Sequence, residues 1–371
     1  MIAIGMMSGT SLDGIDVALV KFYEYEGKLN YHLIDFRVFP YPMDTLDRIH
    51  QVMDVERSNV QLICQLHKEL GVIYGNCAKE IMYLNGLCSC DVSFIANHGQ
   101  TIYHDPQAEF PSTLQIGEPA EIYEITGVPV VSNLREADIA AGGQGAPIVP
   151  FTEYALYRSD DISQIFVNIG GISNITVLPK HGTIDSIVAF DTGPGNMMID
   201  SLCKRFFNQP YDDKGLIGLK GEVQRDVLEL LLDHPYMNRR YPKTTGREDF
   251  GEQYVEELLS RFTYEPQDMV ATFTLFTAKS LAKAILEFQE LDPVVVIGGG
   301  GSYNPTLIQM IREELTGIQV LTQEEFGFSS EAKEAIAMAI LGKFTLDGLP
   351  NNVPSATGAK HPVVLGRITG R

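Results

Sequence analysis

The hydrophobic positions at the start of the chain fall into three short runs. Residues 2–7 and 15–22 are apolar and flank a turn-rich loop, and a second turn at 26–28 leads into the run 29–39. Short apolar runs separated by glycine-containing turns are typical of antiparallel β-strands. The pattern therefore predicts a hairpin followed by a third strand.

The same plan returns in the middle of the chain. Strands are predicted at 164–169, 174–178 and 184–190, with Gly170 and Gly171 in the first turn. Two copies of one arrangement indicate a duplicated unit. After each copy, helical periodicity alternates with short apolar runs. These segments predict helices at 59–85, 119–125, 196–207, 272–288 and 305–315, and strands at 92–96, 128–132 and 294–297.

Strands followed by helices after an antiparallel start predict mixed sheets with helices packed on them. The chain has 371 residues, which suggests two domains at ~150 residues per domain. We therefore expect two α/β domains that face each other across a cleft. The glycine-rich stretch 142–147 lies between the two copies, near the expected hinge.

The last predicted helix carries an apolar stripe at helical spacing, formed by Ala332, Ala335, Ile336, Ala339 and Ile340. Glu331 and Glu334 lie off this stripe, so the pattern predicts a solvated face for both side chains. The alternative is a carboxylate that faces the cleft.

Composition and charge narrow the choice of function. Hydrophobic residues make up 44% of the chain and charged residues 20%, which excludes disordered, collagen-like and coiled-coil proteins. The net charge of −20 argues against a nucleic-acid partner. No stretch approaches the ~20 unbroken apolar residues of a membrane helix, and the N-terminus does not resemble a secretory signal. The five cysteines are few and odd in number, which favours reduced thiols in a cytoplasmic protein.

Small and hydroxyl-bearing residues fill the first hairpin loop, from Ser8 to Gly14. Backbone N–H groups of such a loop approach an anion closely, and the carboxylate of Asp13 suits Mg²⁺. A polar turn without a ligand is the alternative. The second hairpin turn contains Gly170, Gly171, Ser173 and Asn174, and the pair of turns favours a polyphosphate ligand.

Two further segments follow apolar strands of the second half. Gly298, Gly299, Gly300 and Gly301 leave room for a flat base or ribose at the carboxyl end of a strand, although a flexible loop is the alternative. Asp191 precedes a tight Gly-Pro-Gly turn, a position that suits a general base. An Asx turn or a helix cap is the alternative for Asp191.

Two polar clusters follow apolar strands of the first half. His98 and Gln100 belong to the run 97–101, which fits hydrogen bonding to a substrate or plain turn chemistry. Arg135 suits an anionic substrate, with a structural salt bridge to Glu136 or Asp138 as the alternative. The usual fingerprints of P-loop and dinucleotide-binding proteins are absent from the sequence.

Together these motifs resemble the anhydro-N-acetylmuramic acid kinase family, which belongs to the actin, hexokinase and heat-shock-chaperone fold superfamily. The matching segments occur in the expected order: GMMSGTSLDGIDVALV (5–20), NHGQT (97–101), AAGGQGAPIVP (140–150), NIGGISNIT (168–176), FDTGPGN (190–196), IGGGGSYNP (297–305) and PSATGA (354–359). The resemblance implies two ribonuclease-H-like domains with mixed β-sheets flanked by helices, the actin-like ATPase and sugar kinase fold. The first domain is expected at 1–135 plus roughly 331–371, and the second at roughly 136–330. A cytoplasmic homodimer is also implied.

The resemblance further implies the roles of individual residues. ATP binding is assigned to Gly9, Thr10, Ser11, Leu12, Asp13, Gly14, Ile15 and Asp16, to Gly170, Gly171, Ser173 and Asn174, and to Gly298, Gly299, Gly300 and Gly301. Asp191 is implied to be catalytic. From residue chemistry rather than from the family's motifs, Asp13 is a candidate ligand of Mg²⁺, directly or through water, and the candidates for sugar binding are His98, Gln100, Arg135, Glu331 and Glu334.

The implied reaction opens the 1,6-anhydro ring of anhydro-N-acetylmuramic acid and phosphorylates the 6-oxygen with ATP, which yields N-acetylmuramic acid 6-phosphate for peptidoglycan recycling. Ordinary glycoside hydrolysis needs a base for water and an acid for the leaving oxygen. Here the phosphoryl group captures the leaving oxygen, so one base, Asp191, is sufficient. Two alternatives stay open: a kinase of the same fold that acts on an ordinary hydroxyl or carboxylate, and a nucleotide-dependent switch that consumes no sugar.

Overall fold

The computed structural model describes residues 1–9, 12, 14–327 and 330–370. Contacts within the chain divide it into two units. The first unit comprises Met1–Tyr157 and Glu331–Arg371, and the second comprises Arg158–Ser330. Each unit contains one β-sheet with helices packed on it.

The strands found in the described residues are short to medium in length and occur in two groups of similar order. They are β1 (Ile2–Ser8), β2 (Ile15–Tyr25), β3 (Lys28–Phe39), β4 (Val92–Asp105), β5 (Ser112–Ile116), β6 (Val130–Ser132), β7 (Ser163–Ile169), β8 (Ile172–Leu178), β9 (Val188–Pro194), β10 (Pro293–Gly298), β11 (Gln319–Thr322) and β12 (Arg367–Thr369).

The two sheets share one arrangement around their first strand. In the first unit the order is β12-β6-β4-β1-β2-β3, with β5 paired to β4, and in the second it is β11-β10-β7-β8-β9. Strands β1, β2 and β3 pair antiparallel, as do β7, β8 and β9. On its other side β1 runs parallel to β4, and β7 runs parallel to β10. The prediction of mixed α/β sheets built on a repeated hairpin is confirmed.

The helices connect these strands or follow them. They are α1 (Met43–Met53), α2 (Val60–Leu84), α3 (Pro119–Thr126), α4 (Glu136–Ala140), α5 (Val149–Tyr157), α6 (Met197–Phe207), α7 (Arg225–Leu232), α8 (Arg247–Phe250), α9 (Glu252–Arg261), α10 (Pro266–Leu286), α11 (Pro305–Glu314), α12 (Gln323–Phe326), α13 (Lys333–Leu346) and α14 (Pro354–Thr357). Residues 136–157, which the sequence analysis assigns to the second domain, lie in the first unit, where α5 packs on β3 and α13.

Strand β4 is longer than the sequence pattern predicts. The apolar run ends at Ala96, but the strand continues to Asp105 and pairs with β5. Asn97, His98 and Gln100 are buried within it. Their polarity made this stretch resemble a loop, whereas hydrogen bonds to His98, to Gln100 and to Oδ1 of Asn97 allow them to occupy a strand in the core. Nδ2 of Asn97 is buried without a partner among the described residues.

Helix α13 also differs from its prediction. It is buried on all sides from Ala335 to Leu341, so the expected amphipathic face exists only in its first turn. The helix packs against β1, β2 and β4. Gly5 permits this close approach, because a Cβ atom there would lie 1.8 Å from the carbonyl oxygen of Ala335.

Helix α10 is the core helix of the second unit. Among the described residues it is the one helix long and apolar enough to span a membrane, with a mean hydropathy of 1.3 over its most apolar window. Because 78% of that window is buried inside the protein, packing in the core of the unit is sufficient to explain its apolar side chains.

Candidate active site

The first candidate loop joins β1 to β2. Thr10, Ser11 and Asp13 lie outside the described residues, and with them the predicted Mg²⁺ ligand. The structure describes the other residues predicted to bind ATP here, which are Gly9, Leu12, Gly14, Ile15 and Asp16. Ile15 and Asp16 begin β2, and the backbone N–H of Leu12 donates to the carbonyl oxygen of Gly9 at 3.4 Å.

A chain of buried hydrogen bonds supports the start of this loop. The hydroxyl oxygens of Ser8 and Tyr74 are 2.9 Å apart, and those of Tyr74 and Tyr41 are 3.1 Å apart. Tyr41 donates to Oε1 of Gln100 at 3.2 Å, and Nε2 of Gln100 donates back to the carbonyl oxygen of Gly9 at 3.2 Å. Gln100 therefore holds the loop from the core side. The two tyrosines belong to no motif, so the sequence offered no signal for them.

The glycine turn between β7 and β8 is open toward solvent. A Cβ atom on Gly171 would come no closer than 3.6 Å to another atom, and one on Gly170 no closer than 3.5 Å. By contrast, a Cβ atom on Gly195 would lie 2.2 Å from the carbonyl oxygen of Gly170. The packing of the protein therefore requires glycine at 195 but not at 170 or 171, where the missing side chains leave room for a ligand. The N–H of Gly170 already donates to the carbonyl oxygen of Ile172 at 3.2 Å, and both glycine carbonyl oxygens accept from the backbone of 195–197.

Two other residues predicted at this turn lie in β8. The Ser173 hydroxyl is buried and has no hydrogen-bond partner among the described residues. Asn174 is paired in register with Asp191 of β9. The second hairpin turn and the predicted catalytic carboxylate therefore belong to neighbouring strands of one sheet.

The glycine run at the end of β10 continues this open surface. Gly299 adopts a φ of 82°, and Cβ atoms on Gly298 and Gly301 would lie 2.3 Å from the side chains of Gln323 and Ile169. Gly300 differs, because its nearest neighbour would be 3.9 Å away. Packing or backbone conformation therefore requires glycine at three positions of this run. At Gly300 neither requires it, and the space beside it is open.

Gly300 lines a cavity of about 410 Å³ within the second unit. Asn196, Asp200, Tyr211 and Tyr303 contribute to its wall. Its volume lies in the range of small-molecule sites. Burial raises the pKa of Asp200 to about 7, against the lowering effect of its neighbour Lys204. None of these four wall residues was a predicted site residue: Asn196 and Tyr303 lie near the ends of matched motif segments, and Asp200 and Tyr211 lie in ordinary helical and turn patterns.

Asp191 lies within β9, held by backbone contacts on both sides. Its N–H donates to the carbonyl oxygen of Lys243 at 3.1 Å, and its carbonyl oxygen accepts from the Tyr236 hydroxyl at 2.7 Å. The carboxylate oxygen Oδ2 accepts from the N–H of Thr245 at 3.0 Å. The cap position of α6 is occupied by Asn196, so the alternative in which Asp191 caps that helix is wrong.

The titration of Asp191 is shifted toward neutral pH. Burial raises its pKa to about 6, and the nearby Glu248 carboxylate acts in the same direction. The hydrogen bond from Thr245 and the positive charge of Lys243 oppose the rise. A carboxylate that releases its proton near pH 6 is a stronger base than an ordinary aspartate and is still ionised at pH 7.

Arg135 is anchored by two hydrogen bonds within the first unit. Nε donates to Nε2 of His98 at 2.9 Å, and Nη1 donates to the carbonyl oxygen of Gly145 at 2.7 Å. Glu136 instead pairs with Arg367 at 3.2 Å, and no ion pair links Arg135 to Asp138 in the described residues. The structural salt bridge considered for Arg135 is therefore wrong. Burial lowers its pKa to about 10, so the guanidinium keeps its charge at neutral pH.

The two predicted glutamates differ in their relation to Arg135. Glu331 is exposed and precedes α13, whereas Glu334 is exposed in its first turn. The negative charge of Glu334 raises the pKa of Arg135, partly offsetting the effect of burial. Of the two, Glu334 is thus the carboxylate within electrostatic reach of the arginine.

The whole chain, residues 1–371, matches the family model described as anhydro-N-acetylmuramic acid kinase. The anhydro-N-acetylmuramic acid kinase of Bacillus cereus (strain ZK / E33L) is 48% identical over 375 residues, which cover 98% of each chain. That of Bacillus thuringiensis subsp. konkukian (strain 97-27) is also 48% identical, over 100% of this chain and 99% of its own.

The chain belongs to the anhydro-N-acetylmuramic acid kinase family. It is a kinase that acts on small-molecule substrates, with a role in cell-wall recycling. Among solved structures, the activator of the 2-hydroxyisocaproyl-CoA dehydratase from Clostridium difficile covers 92% of this chain and 93% of its own, at 11% identity and a TM-score of 0.43. A likeness of this degree says nothing about function.

The described residues of this family member contain one group of three metal-ligand side chains, Cys88, Cys90 and Asp91, in an exposed loop. Cys88 and Cys90 are joined as a disulfide, so the expectation of reduced thiols is wrong for this pair. Cys64, Cys77 and Cys203 are free. A disulfide and one carboxylate do not form the oxygen-rich set that Mg²⁺ prefers.

Proposed function

We propose that this kinase opens the 1,6-anhydro ring of anhydro-N-acetylmuramic acid with water and phosphorylates the 6-oxygen with ATP. The product is N-acetylmuramic acid 6-phosphate. The proposal rests on the family to which the chain belongs and on one observation above all. Asp191 is a partly buried carboxylate with a pKa of about 6, on the strand next to an open glycine turn.

Asp191 acts as the general base. It removes a proton from water while the water oxygen bonds to the anomeric carbon of the sugar. The bond from that carbon to the 6-oxygen breaks, and the 6-oxygen bonds to the γ-phosphorus of ATP as the bond to the leaving ADP oxygen breaks. The proton on Asp191 then passes to solvent. Because the phosphoryl group captures the leaving oxygen, the site needs no separate carboxylic acid for it.

ATP is the phosphoryl donor, held by backbone rather than by a large set of charged side chains. The turn at Gly170 and Gly171 and the open surface at Gly300 support a role in contacting the phosphates and the nucleoside. The cavity beside Gly300 is large enough for the base and ribose. The loop from Gly9 to Asp16 contributes further phosphate contacts, with its first residues supported by Gln100.

Arg135 binds the lactyl carboxylate of the sugar, and Glu334 helps to hold the sugar or the water. The charge that Arg135 retains despite burial supports the first role. Glu334 is preferred over Glu331 because its charge acts on the same arginine.

Mg²⁺ binding at Asp13, a cytoplasmic location and a homodimeric state stay predictions. Mg²⁺ neutralises charge on transferring phosphates in kinases generally. Asp13 lies outside the described residues.

The test is a coupled ADP-release assay with ATP, Mg²⁺ and the anhydro sugar in oxygen-18 water, with N-acetylmuramic acid and glucose as control acceptors. We expect ADP release with the anhydro sugar alone and one labelled oxygen in a 6-phosphorylated product. Release of ADP with the ordinary sugars would point to a kinase for ordinary hydroxyls. Bound ATP without any sugar-dependent turnover would point to a nucleotide-dependent switch.

A further inference from the structure

We propose that His98 is a positioning residue, which orients the guanidinium of Arg135 toward the substrate carboxylate without contacting the substrate itself. The inference rests on the proposed role of Arg135 and adds a second residue that determines specificity for an acidic sugar. It also differs from the direct substrate contact that the sequence motif implies for His98.

The hydrogen bonds of His98 determine its protonation state. Nδ1 lies 2.7 Å from the carbonyl oxygen of Gly99, which can only accept, so Nδ1 carries the proton. Nε2 lies 2.9 Å from Nε of Arg135, which can only donate, so Nε2 carries the lone pair. The ring is therefore a neutral imidazole with one defined tautomer. Burial and the charge of Arg135 lower its pKa to about 3, so this state persists across the working pH range.

Both ring nitrogens are thus occupied within the protein, and the side chain is 3% exposed. A direct hydrogen bond to substrate would require His98 to give up one of these partners inside the core. The cost of leaving a buried polar group unpaired argues against that. The ring instead offers a fixed acceptor to Arg135.

The second anchor of Arg135 is equally well supported. The carbonyl oxygen of Gly145 accepts from Nη1, and the N–H of Gly145 donates to Oδ2 of Asp138 at 2.8 Å. Asp138 is 1% exposed, and its other oxygen accepts from Asn352 and Thr357, each at 2.8 Å. Two fixed acceptors on Nε and Nη1 define the plane of the guanidinium. Within the described residues Nη2 has no acceptor, which leaves it available for a carboxylate.

Two substitutions separate the two hydrogen bonds of His98. In His98→Asn the amide nitrogen takes the place of Nδ1, so the bond to Gly99 is kept and the acceptor for Arg135 is lost. In His98→Gln the longer side chain returns an oxygen to the position of Nε2. We expect His98→Asn to raise KM for the anhydro sugar about tenfold to a hundredfold, with kcat and the KM for ATP changed less than about threefold. His98→Gln should recover most of that loss. His104→Asn, on the same strand but exposed and hydrogen-bonded to Thr113 rather than to Arg135, serves as the matched control.

The decisive measurement is a double-mutant cycle with Arg135→Ala, using kcat/KM for the sugar. If His98 acts through Arg135, adding His98→Asn to Arg135→Ala causes less than about a twofold further loss. If the losses of kcat/KM from the two substitutions multiply in the double variant, the inference is overturned. It is also overturned if His98→Asn has a wild-type KM for the sugar. A third contrary result is a KM that His98→Gln does not bring back toward wild type, with both variants melting at the wild-type temperature. An unchanged KM in Arg135→Ala would instead refute the proposed role of the arginine, and absence of sugar-dependent turnover in the wild type would refute the proposed function.

Discussion

Replacement of Asp191 by asparagine should slow the kinase and stabilise it at the same time. The substitution keeps the size of the side chain and an oxygen that can accept from Thr245, but it removes the negative charge. Loss of a general base typically costs 10²-fold or more in turnover. We therefore expect kcat to fall at least ~10²-fold, with the KM for ATP little changed.

The pH dependence of the wild type follows from the pKa of about 6. At pH 5 about one molecule in ten carries an ionised Asp191, and at pH 7 about nine in ten do so. The base must be ionised to accept a proton, so kcat/KM for the sugar should rise roughly tenfold between these values. Glu248→Gln removes a charge that raises this pKa, so it should move the midpoint of the rise to lower pH.

The raised pKa of Asp191 lowers stability over the pH range in which activity rises. The carboxyl titrates near 3.8 in its ordinary state and near 6 in the folded protein, so the folded state binds more protons between those values. Stability is then lost as the pH rises through this window. The difference corresponds to ~3 kcal/mol at 1.36 kcal/mol per unit of pKa, an upper limit because Asp191 keeps part of its hydration. Asp191→Asn should gain up to that amount above pH 6.5 and almost nothing at pH 4.

The assays are ADP release between pH 4.5 and 8.5 and urea unfolding at pH 4 and pH 8. The exposed Asp185 of the same unit provides an Asp→Asn control that should change neither result. A kcat/KM that stays flat from pH 5 to pH 7, or turnover of Asp191→Asn within tenfold of wild type, would remove Asp191 from the role of base. Equal stabilities of variant and wild type at pH 8 would contradict the argument from burial.

Three further predictions address the proposed ATP site. Tyr74→Phe breaks the hydrogen bond to Ser8 and should raise the KM for ATP about threefold to tenfold, with ~1–2 kcal/mol lost from the free energy of unfolding. An unchanged KM would show that these hydrogen bonds do not support ATP binding. Gly171→Ala places its Cβ in open space and should raise the KM for ATP at nearly constant melting temperature. Gly195→Ala should instead lower the free energy of unfolding by ~2 kcal/mol or more, and equal losses of stability in the two variants would contradict the packing argument. Asp200 lies in the wall of the proposed nucleoside cavity, where its ionised carboxylate would accept from a nucleoside hydroxyl, so Asp200→Asn should raise the KM for ATP about tenfold at pH 8. In the wild type that KM should rise as the pH falls through about 7, and a KM independent of pH would exclude Asp200 from nucleotide binding.

The strands of both hairpins could be predicted because the information for them is local. Alternating apolar runs and the glycine turn at Gly170 and Gly171 lie next to each other in sequence, and β1–β2 and β7–β8 form where they predict. The length of β4 could not be predicted in this way. Its second half is polar in sequence, and only partners distant along the chain, such as Tyr41 for Gln100 and Arg135 for His98, make those side chains acceptable in the core.

Helix α13 shows a similar difference between pattern and packing. The pattern finds one apolar stripe and assigns the opposite side to solvent. In the folded protein, Met338 and Leu341 on that opposite side are also buried, because β1, β2, β4 and α5 surround the helix. Which faces of a helix are covered depends on how many elements pack on it, and a single-helix pattern does not contain that number.

The sequence by itself determined the family and its kinase class, because the motifs around Gly9, Gly170, Asp191 and Gly298 are short, local and similar to those of the family. Only the tertiary structure decided how those residues are held and charged. Burial raises the pKa of Asp191, and the partners of Arg135 turn out to be His98 and Gly145 rather than its neighbours in sequence. Hydration and hydrogen bonding at a site depend on atoms brought together from distant parts of the chain, so they become defined only when the chain has folded.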